Sequence, residues 1–476
     1  MEVKDFIRIF VKGGTITPGN FLQLLLTAEK LKAEHIYLGS RQDIIIGSRE
    51  KDTELLDKAF NLIGLNYEVN GITYQNIASS YVALDIQPSK KWLASHVYSY
   101  IFKSFDFPTK LRINIVDPSQ SLVPLFTGQI NYIASNQENY WYVYLRFKKI
   151  QSTPWQMPLL VYTEDLVNIA REIETSALHE TCDNYREIFD FLSENVRMNT
   201  QPVTEDLVLP ESNFPYYEGI NKQSDENYWL GLYWRTNQYK VATVKAMMEH
   251  CIETDIKTIA LTPWKSFIVK GISEQDRLGW EKLMGKFGMN LRHSSIELNW
   301  HIPSLNKEAL DLKFYLVREL DKQDISTFGL TFTIKMTDDM TPFTSVVIEK
   351  ASSHADTYHI LHTKNFNQNL NDYSYYAKDA HKTVLASLIL ELTLVYYDSL
   401  EDHISPQAGS TKVKELKDAM EKDLYQCRHC MTVYDPEFGD IDQGIPAGTP
   451  FANLQDTYHC PTCQSKRSDF YKMVVH

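Results

Sequence analysis

The first 65 residues alternate between strand-like and helix-like patterns of apolar side chains. Apolar and polar residues alternate over Asp5 to Lys12, and Ile36 to Leu38 and Asp43 to Gly47 are short apolar runs typical of β-strands. Leucine and alanine recur at helical spacing over Thr17 to Lys32, and Thr53 to Ile63 is amphipathic. This pattern predicts the order strand, helix, strand, helix.

A second part of the chain, Tyr228 to Asn290, repeats this layout. Leu38 to Gln42 then falls opposite Leu261 to Lys265. Further along, Lys110 to Ile133 resembles Gly329 to Glu349, and the order of these features is shared between the copies. We interpret the pattern as an internal duplication of roughly 200 residues per copy, which is long enough for a domain. The alternative is chance similarity between two α/β segments.

Breaks in the pattern divide the chain further. The stretch before the second copy lacks periodicity and is predicted to be an extended linker, and a Ser-Pro-Gln-Ala-Gly break precedes a short helical run near the C-terminus. The predicted parts are a first copy (1–200), a linker (201–227), a second copy (228–404), a linker and helix (405–424) and a small C-terminal domain (425–476).

Composition limits the class of protein. A formal net charge of -13 argues against nucleic acid or an anionic membrane as the main partner. The first residues lack a signal-peptide pattern. The longest apolar run, Val384 to Tyr397, is interrupted by Glu391 and is too short to cross a bilayer. We therefore expect a cytoplasmic protein with no membrane partner.

Four of the six cysteines form two C-x-x-C pairs, Cys427 with Cys430 and Cys460 with Cys463. Each C-x-x-C turn places two sulfurs on one side of a tight loop, and two facing turns make a tetrahedral cage for iron or zinc. Because cytoplasmic thiols stay reduced, the pairs favour a metal over disulfides. Spacing alone leaves iron and zinc open.

The sequence from Cys427 onward resembles rubredoxin along its whole length. The resemblance implies a small antiparallel sheet around an aromatic core of Tyr434, Phe451, Tyr458 and Phe470. It also implies one Fe(SCys)4 centre that cycles between ferric and ferrous iron. The matching positions are Tyr434, Asp435, Pro436, Gly439, Asp440, Gly444, Ile445, Gly448, Thr449, Phe451, Leu454, Asp456, Pro461, Lys466 and Phe470.

The chain departs from rubredoxin in two ways, and the first of them keeps zinc as an alternative to iron. Rubredoxins usually carry glycine with positive φ just after the second cysteine of each knuckle, where this chain has Met431 and Gln464. Tyr458 replaces the usual tryptophan. We favour iron, and the alternative is a structural or interaction protein with a zinc-bound knuckle.

The residues before this region resemble the ferredoxin-like half-domains of nitrite and sulfite reductases. The resemblance rests on a GG-x-I-T-P start, a Leu-rich helix, Arg41-Gln42 at a strand start, and Leu261 to Trp264 in the second copy. The predicted fold class is α+β: a duplicated nitrite/sulfite-reductase-like α/β body followed by a small rubredoxin-like antiparallel β domain.

The resemblance also shows which catalytic groups of the active reductases have no counterpart in this sequence. The active reductases hold a [4Fe–4S] cluster on four cysteines, bridged to sirohaem, whereas this body has only Cys182 and Cys251, expected to be buried small hydrophobes. The stretch expected to carry a cluster cysteine pair, Val116 to Leu122, has none. We expect no [4Fe–4S] cluster and consider sirohaem unlikely. Arg41 matches a position at which the family places a basic residue in contact with the sirohaem carboxylates. The alternative interpretation is a solvated arginine at the start of a strand.

Other candidate sites are weaker. Asp338-Asp339 is predicted to be a turn, and the histidine spacing fits no metal pattern, so we expect scattered surface histidines at His354, His359, His362 and His381. The hypothesis is an electron carrier, not a catalyst, that passes electrons to or from a redox protein such as an assimilatory nitrite or sulfite reductase. A reductase that keeps sirohaem without its cluster is the third possibility.

Overall fold

The computed structural model describes residues 5–48, 52–151, 153–210, 217–223, 226–289, 296–322, 327, 329–338, 340–351, 356–404, 424–430 and 432–472. The chain divides into two compact units, Met1–Tyr396 and Tyr397–His476. The helix predicted after residue 411 lies outside the described residues.

The first copy contains an α/β segment and then a larger sheet with helices. The α/β segment comprises β1 (Asp5–Phe10), β2 (Thr15–Ile16), α1 (Pro18–Lys30), β3 (His35–Leu38), β4 (Ile44–Ser48), α2 (Thr53–Ile63) and β5 (Asn66–Val69). The larger sheet and its helices comprise β6 (Ala78–Ser79), α3 (Ser95–Ser104), β7 (Ile113–Val116), β8 (Ile130–Ala134), β9 (Tyr140–Leu145), β10 (Trp155–Gln156), β11 (Leu159–Tyr162), α4 (Leu166–Thr175), α5 (Leu178–Thr181), α6 (Tyr185–Asn195) and β12 (Thr200–Pro202).

The second copy repeats most of this order, although its edge strand β13 (Gly219–Lys222) comes before the copy's first long strand instead of after its second helix, and a three-stranded domain follows it. The second copy comprises β13 (Gly219–Lys222), β14 (Asn227–Leu232), β15 (Tyr239–Lys240), α7 (Val241–Glu253), β16 (Ile259–Leu261), β17 (Phe267–Ser273), α8 (Arg277–Phe287), β18 (Trp300–His301), α9 (Lys307–Asp321), β19 (Phe332–Lys335), β20 (Val346–Lys350), β21 (Thr357–Thr363), β22 (Tyr373–His381) and α10 (Leu385–Ile404). The C-terminal strands are β23 (Tyr425–Cys427), β24 (Val433–Tyr434) and β25 (Phe470–Lys472).

The predicted helices begin where their capping residues stand. The Thr17 side chain accepts a hydrogen bond from the Asn20 N–H, and Pro18 occupies the first turn, where its missing N–H is harmless. Asp52 caps α2 in the same way, and Gly64 ends it with a φ of 67°. The strands and helices predicted for the first 65 residues are therefore confirmed.

The two copies exchange edge strands. One sheet has the order β15-β3-β4-β1-β5 and the other β13-β14-β17-β16-β2, so each includes a two-residue strand from the other copy. Helices α1 and α7 pack against each other, and apolar residues of both copies form a single core. Edge strand β13 comes from within the segment 201–227 that was predicted as a linker.

Equivalent hairpins confirm the alignment of the copies. Between β3 and β4 the Gly39 N–H donates to Asp43 O at 2.9 Å, and between β16 and β17 the Thr262 N–H donates to Ser266 O at 2.9 Å. The penultimate loop residues, Gln42 and Lys265, both adopt left-handed backbone with φ of 59° and 58°. Two loops with different sequences thus take the same path.

The downstream segments also match in topology. Strand β7 pairs in parallel with β6 and β8, and β19 pairs in parallel with β18 and β20. In each copy the next strand then turns back antiparallel, as β9 and as β21. The predicted correspondence between residues 110–133 and 329–349 is confirmed by this arrangement.

Helix α10 is longer than the apolar run that was expected from the sequence. By length and composition alone, Lys382–Leu400 could cross a membrane. Its mean hydropathy is 1.4, and 33% of its most apolar stretch is buried inside the protein. One face, with Leu385, Ile389 and Leu392, is buried within the body. Core helices of soluble proteins pass the same test, so this helix is weak evidence for a membrane.

We expect Gly14→Ala to destabilise the body by about 2 to 4 kcal/mol, because φ is 75° and an added Cβ would lie 2.7 Å from Gln42 Cδ. Gln42 cannot swing away, since its amide bonds both the N–H and the carbonyl of Ser79. Urea unfolding followed by tryptophan fluorescence measures this, because all eight tryptophans precede the C-terminal domain.

The matched control is Gly19→Ala, at an exposed position in the first turn of α1 with no heavy atom within 4 Å of the added carbon. It should leave stability unchanged or raise it slightly. Equal stability of Gly14→Ala and the unaltered protein would contradict the steric argument.

Candidate metal centre

The C-terminal domain brings the four predicted cysteines together. All four Sγ atoms lie within 4.8 Å of one another, with 3.6 Å between Cys427 and Cys463 and 3.4 Å between Cys430 and Cys460. A disulfide would need about 2.05 Å, whereas a tetrahedral ion with bonds of about 2.3 Å has edges of about 3.8 Å. The geometry therefore fits one metal ion. Among the described residues, no other group of His, Cys, Asp and Glu meets this test.

The two knuckles are built alike and joined at their tips. The Cys427 N–H donates to Thr432 O, and the Cys460 N–H donates to Ser465 O, each at 2.8 Å. Thr432 Oγ1 donates to Thr462 Oγ1 at 2.8 Å, which links one knuckle to the other. These bonds, together with the end of strand β23 at Cys427, restrain the separation of the sulfur pairs.

Backbone and hydroxyl groups point at the sulfurs. The N–H groups of His429 and Cys430 donate to Cys427 Sγ, and Ser465 Oγ lies 3.0 Å from the same sulfur. Burial opposes ionisation of Cys427, but these bonds outweigh burial and lower its pKa to about 6. At Cys460 burial prevails and raises the pKa to about 12. A cage that holds several such sulfurs as thiolates needs a cation at its centre.

An aromatic core supports the knuckles. Strands order as β24-β23-β25, and the predicted aromatic side chains are all buried behind them. Tyr425, which was not predicted, stacks on Phe451 with ring centroids 4.1 Å apart. The predicted core is confirmed at Tyr434, Phe451, Tyr458 and Phe470.

One departure from the family pattern is a strained residue. Gln464 keeps the left-handed conformation expected of the usual glycine, with a φ of 61°. Its N–H still donates to Cys460 O at 2.9 Å, so the knuckle geometry is kept. The equivalent residue of the first knuckle, Met431, lies outside the described residues.

In the body, Arg41 is not the solvated arginine that one prediction allowed. Its Nη1 donates to Asn114 Oδ1 at 2.6 Å, and its Nη2 donates to the carbonyls of Asn76 and Ile113 at 2.9 and 2.6 Å. Burial lowers its pKa to about 9. Arg41 is enclosed because the hairpin loop between β3 and β4 faces the sheet that contains β7. Its guanidinium therefore connects the loop to that sheet by hydrogen bonds.

Sequence reasoning missed a group of buried charges near this loop. Asp43 Oδ2 lies 4.0 Å from Arg8 Nε, and burial raises the pKa of Asp43. Burial lowers the pKa of Lys265 to about 7, although Asp43 acts in the opposite direction, and Lys265 donates to Ile302 O. Charged residues are usually exposed, so the sequence carries no signal for these positions.

A second missed group contains two buried carboxyls. Lys313 Nζ lies 3.0 Å from Glu297 Oε2 and donates to Tyr233 Oη at 2.7 Å. Glu218 is also buried, and its Oε2 has no hydrogen-bond partner among the described residues. Burial and then the charge of Glu297 raise the pKa of Glu218 to about 7.

The remaining candidates take structural roles. His359 Nδ1 accepts from the Asp379 N–H, His362 Nδ1 lies 3.1 Å from Thr363 O, and His381 caps the turn before α10. Asp338 lies in a turn, as predicted, whereas Asp339 and His354 lie outside the described residues.

The two body cysteines differ in burial. Cys251 is fully buried, as expected, and burial raises its pKa to about 12. Cys182 is half-buried against the core of the first copy. In the stretch Val116 to Leu122, the Asp117 carboxylate binds the N–H groups of Ser119 and Lys90 and so holds the loop.

Sequence comparisons identify the C-terminal domain. Residues 424–470 match the Rubredoxin family model. A probable rubredoxin of Methanothermobacter thermautotrophicus is 41% identical over 58 residues, which are 12% of this chain and 89% of that protein. A high molecular weight rubredoxin of Moorella thermoacetica is 35% identical over 82 residues, 17% of this chain, and the match spans only 36% of that protein's length.

The body has a counterpart among solved structures. The structure of the Mycobacterium tuberculosis NirA protein matches with a TM-score of 0.64 and 11% identity. The matched region covers 88% of this chain and 85% of the NirA chain. At this identity the likeness concerns the fold. The chain therefore combines a NirA-like body of helices and sheets with a rubredoxin-like domain, as the predicted fold class stated.

Replacing Gln464 by glycine should stabilise the C-terminal domain by about 0.5 to 1 kcal/mol, because glycine takes positive φ without a Cβ penalty. The midpoint of urea-induced metal release, read with a chromogenic chelator, measures the change. The exposed Gln455 lies outside the left-handed region, so Gln455→Gly should lower the midpoint instead. A lower midpoint for Gln464→Gly would show that its side chain stabilises the knuckle.

Replacing Glu218 by glutamine should flatten part of the body's pH dependence. The pKa of Glu218 rises from 4.5 to about 7 on folding, so the folded state binds the proton more tightly. Its contribution to stability is therefore full below pH 4.5, falls as pH rises to about 7, and is constant above. From pH 5 to pH 8, the free energy of unfolding of the variant should rise by about 1 to 3 kcal/mol relative to that of the unaltered protein.

Urea unfolding by tryptophan fluorescence at both pH values tests this expectation. The control variant is Glu226→Gln, which removes a carboxyl that is exposed instead of buried. A difference between Glu218→Gln and the unaltered protein that is independent of pH would contradict the assignment.

Proposed function

The chain belongs to the rubredoxin family through residues 424–470, and on that premise we propose that it is an electron-transfer protein with one iron ion at its four C-terminal cysteines. The observation that carries the proposal is the convergence of four Sγ atoms within 4.8 Å. An iron ion held by four thiolates exchanges one electron between its ferric and ferrous forms.

The protein's own part in this function is to hold the sulfurs in one arrangement. The paired backbone bonds at Cys427 and Cys460, and the link between Thr432 and Thr462, restrain the sulfurs, so a change of charge at the ion should need little rearrangement. N–H groups directed at Cys427 Sγ and Cys460 Sγ stabilise negative charge there, which favours the reduced state. These features support rapid electron exchange over catalysis.

Burial supports the same assignment. Cys427 and Cys460 are buried, whereas Cys430 and Cys463 are half-exposed. The site is thus shielded from water on one side and close to the surface on the other. A carrier needs that asymmetry, because an electron must leave over a short distance while the ion stays bound.

For the partner, we propose a redox protein, and specifically an assimilatory nitrite or sulfite reductase. The support is the NirA-like fold of the body, which is an argument from fold analogy. We also propose that the protein acts in the cytoplasm, where unpaired C-x-x-C thiols remain reduced and available for a metal.

The test is metal content together with the visible spectrum of the full chain from iron-replete cells. We expect one iron per chain and a sulfur-to-ferric absorption that dithionite bleaches. Cys463→Ser should lose both the absorption and most of the metal, because one of four ligands is altered. Cys182→Ser, a cysteine outside the cage, should retain both.

Two results would overturn the proposal. Stoichiometric zinc under iron-rich expression would favour the structural knuckle, a reading that the strained Gln464 permits. An iron-loaded protein that is neither reduced by dithionite nor reoxidised by a one-electron oxidant would exclude electron transfer.

A further inference from the structure

The charges of the C-terminal domain are separated. The two segments that carry the ligands, 427–432 and 460–466, contain no Asp or Glu, whereas they contain Arg428 and Lys466. The segment between them carries the acidic side chains Asp435, Glu437, Asp440, Asp442 and Asp456. A protein with a formal net charge of -13 thus has cationic residues beside its metal ligands.

These cationic residues are exposed, and in the sequence they stand within three residues of the half-exposed ligands Cys430 and Cys463. Arg428 and His429 form the exposed tip of the first knuckle, and Thr462 belongs to the exposed tip of the second. The hydrogen bond from Thr432 to Thr462 joins the tips, so both belong to one surface. Lys466, directly after the second knuckle, is exposed as well. We call the exposed side chains of Arg428, His429, Thr462 and Lys466 the knuckle face.

The Asp469 carboxylate borders the knuckle face and is already engaged. Asp469 Oδ2 accepts a hydrogen bond from the Lys466 N–H at 3.0 Å and lies 3.7 Å from His429 Nε2. The Arg428 guanidinium lies 5.8 Å from the centre of the Tyr471 ring, which restricts its position without neutralising it. Two permanent positive charges therefore stand at the knuckles.

We propose that the knuckle face binds a carboxylate-rich surface of the redox partner. This inference rests on the proposed electron-transfer function and adds the chemistry of the partner's docking surface. In each encounter one electron leaves the tetrathiolate site, whose iron goes from ferrous to ferric, and enters a one-electron acceptor of the partner. In the reverse direction a partner that is a donor supplies the electron.

Charge complementarity is the physical reason. At physiological salt the Debye length is about 8 Å, so a partner that is in contact responds to nearby charges more than to the whole protein. Complementary charge raises association rates and fixes orientation, which places the acceptor next to the half-exposed cysteines. Net charge and local charge make opposite predictions here, which makes the proposal testable without knowing the partner.

The kinetic test uses small one-electron oxidants of opposite charge on the dithionite-reduced, iron-loaded full chain. With ferricyanide, an anion, the oxidation rate should fall roughly three- to tenfold as ionic strength rises from 10 to 300 mM. With tris(phenanthroline)cobalt(III), a cation, the rate should not fall. A ferricyanide rate that rises with salt, as a net charge of -13 demands, would overturn the proposal.

Variants locate the effect. Arg428→Gln combined with Lys466→Gln should reduce the ferricyanide rate severalfold at low salt and remove most of its salt dependence. The control is Lys58→Gln combined with Lys282→Gln, two exposed lysines at the sixth position of the equivalent helices α2 and α8. The control changes net charge equally and should keep the rate. Equal effects of the two double variants would mean that only net charge matters, and the proposal would fail.

A binding experiment tests the docking face independently of the proposed electron-transfer function. In the zinc-loaded full chain, poly-L-glutamate should shift the amide NMR signals of Arg428, His429 and Lys466, and the double glutamine variant should abolish these shifts. Shifts confined to other surfaces, or none, would contradict the docking face. If this result is positive while the iron-loaded protein proves redox-inactive, the electron-transfer proposal fails and the knuckle face stands as a binding surface for carboxylates.

Discussion

The body is held together by the reciprocal exchange of two very short strands. Strand β2 completes the sheet of the second copy, and β15 completes the sheet of the first. Neither strand could be stable alone, since each has only two residues. Each is fixed because the helix that follows it, α1 or α7, packs into the shared apolar core. The core and the exchanged strands therefore depend on one another.

The exchange places two hairpin loops where polar groups become buried. Gln42 and Lys265 have the same left-handed backbone, yet one is neutral and the other is a cation with a pKa lowered to about 7. Asp43 provides opposite charge for Lys265 and Arg8, and Arg41 is satisfied by carbonyls and by Asn114. The duplicated backbone has thus diverged in its side chains, and the first loop has become a structural anchor.

Local patterns predicted more of this protein than long-range ones could. Leucine spacing and Thr17 at the helix start gave α1 to within a residue or two, and the cysteine spacing gave the four ligands. Strands β2 and β15 were missed because two residues carry no periodicity. Buried Lys265 and Lys313 were missed because lysine is read as a surface residue until its partners are known. The sequence carried no signal for the contacts between residues that lie far apart along the chain.

The exchange of edge strands also has a consequence during synthesis on the ribosome. Strand β3 has β15 as its neighbour on one side, and β15 begins only at Tyr239. At about 5 to 20 residues per second, the nascent first copy would wait roughly 10 to 40 seconds with that edge of its sheet unpaired. An unpaired edge is a template for pairing with another chain. Translation speed and chaperone access during that interval should therefore influence how much of this protein reaches its native state.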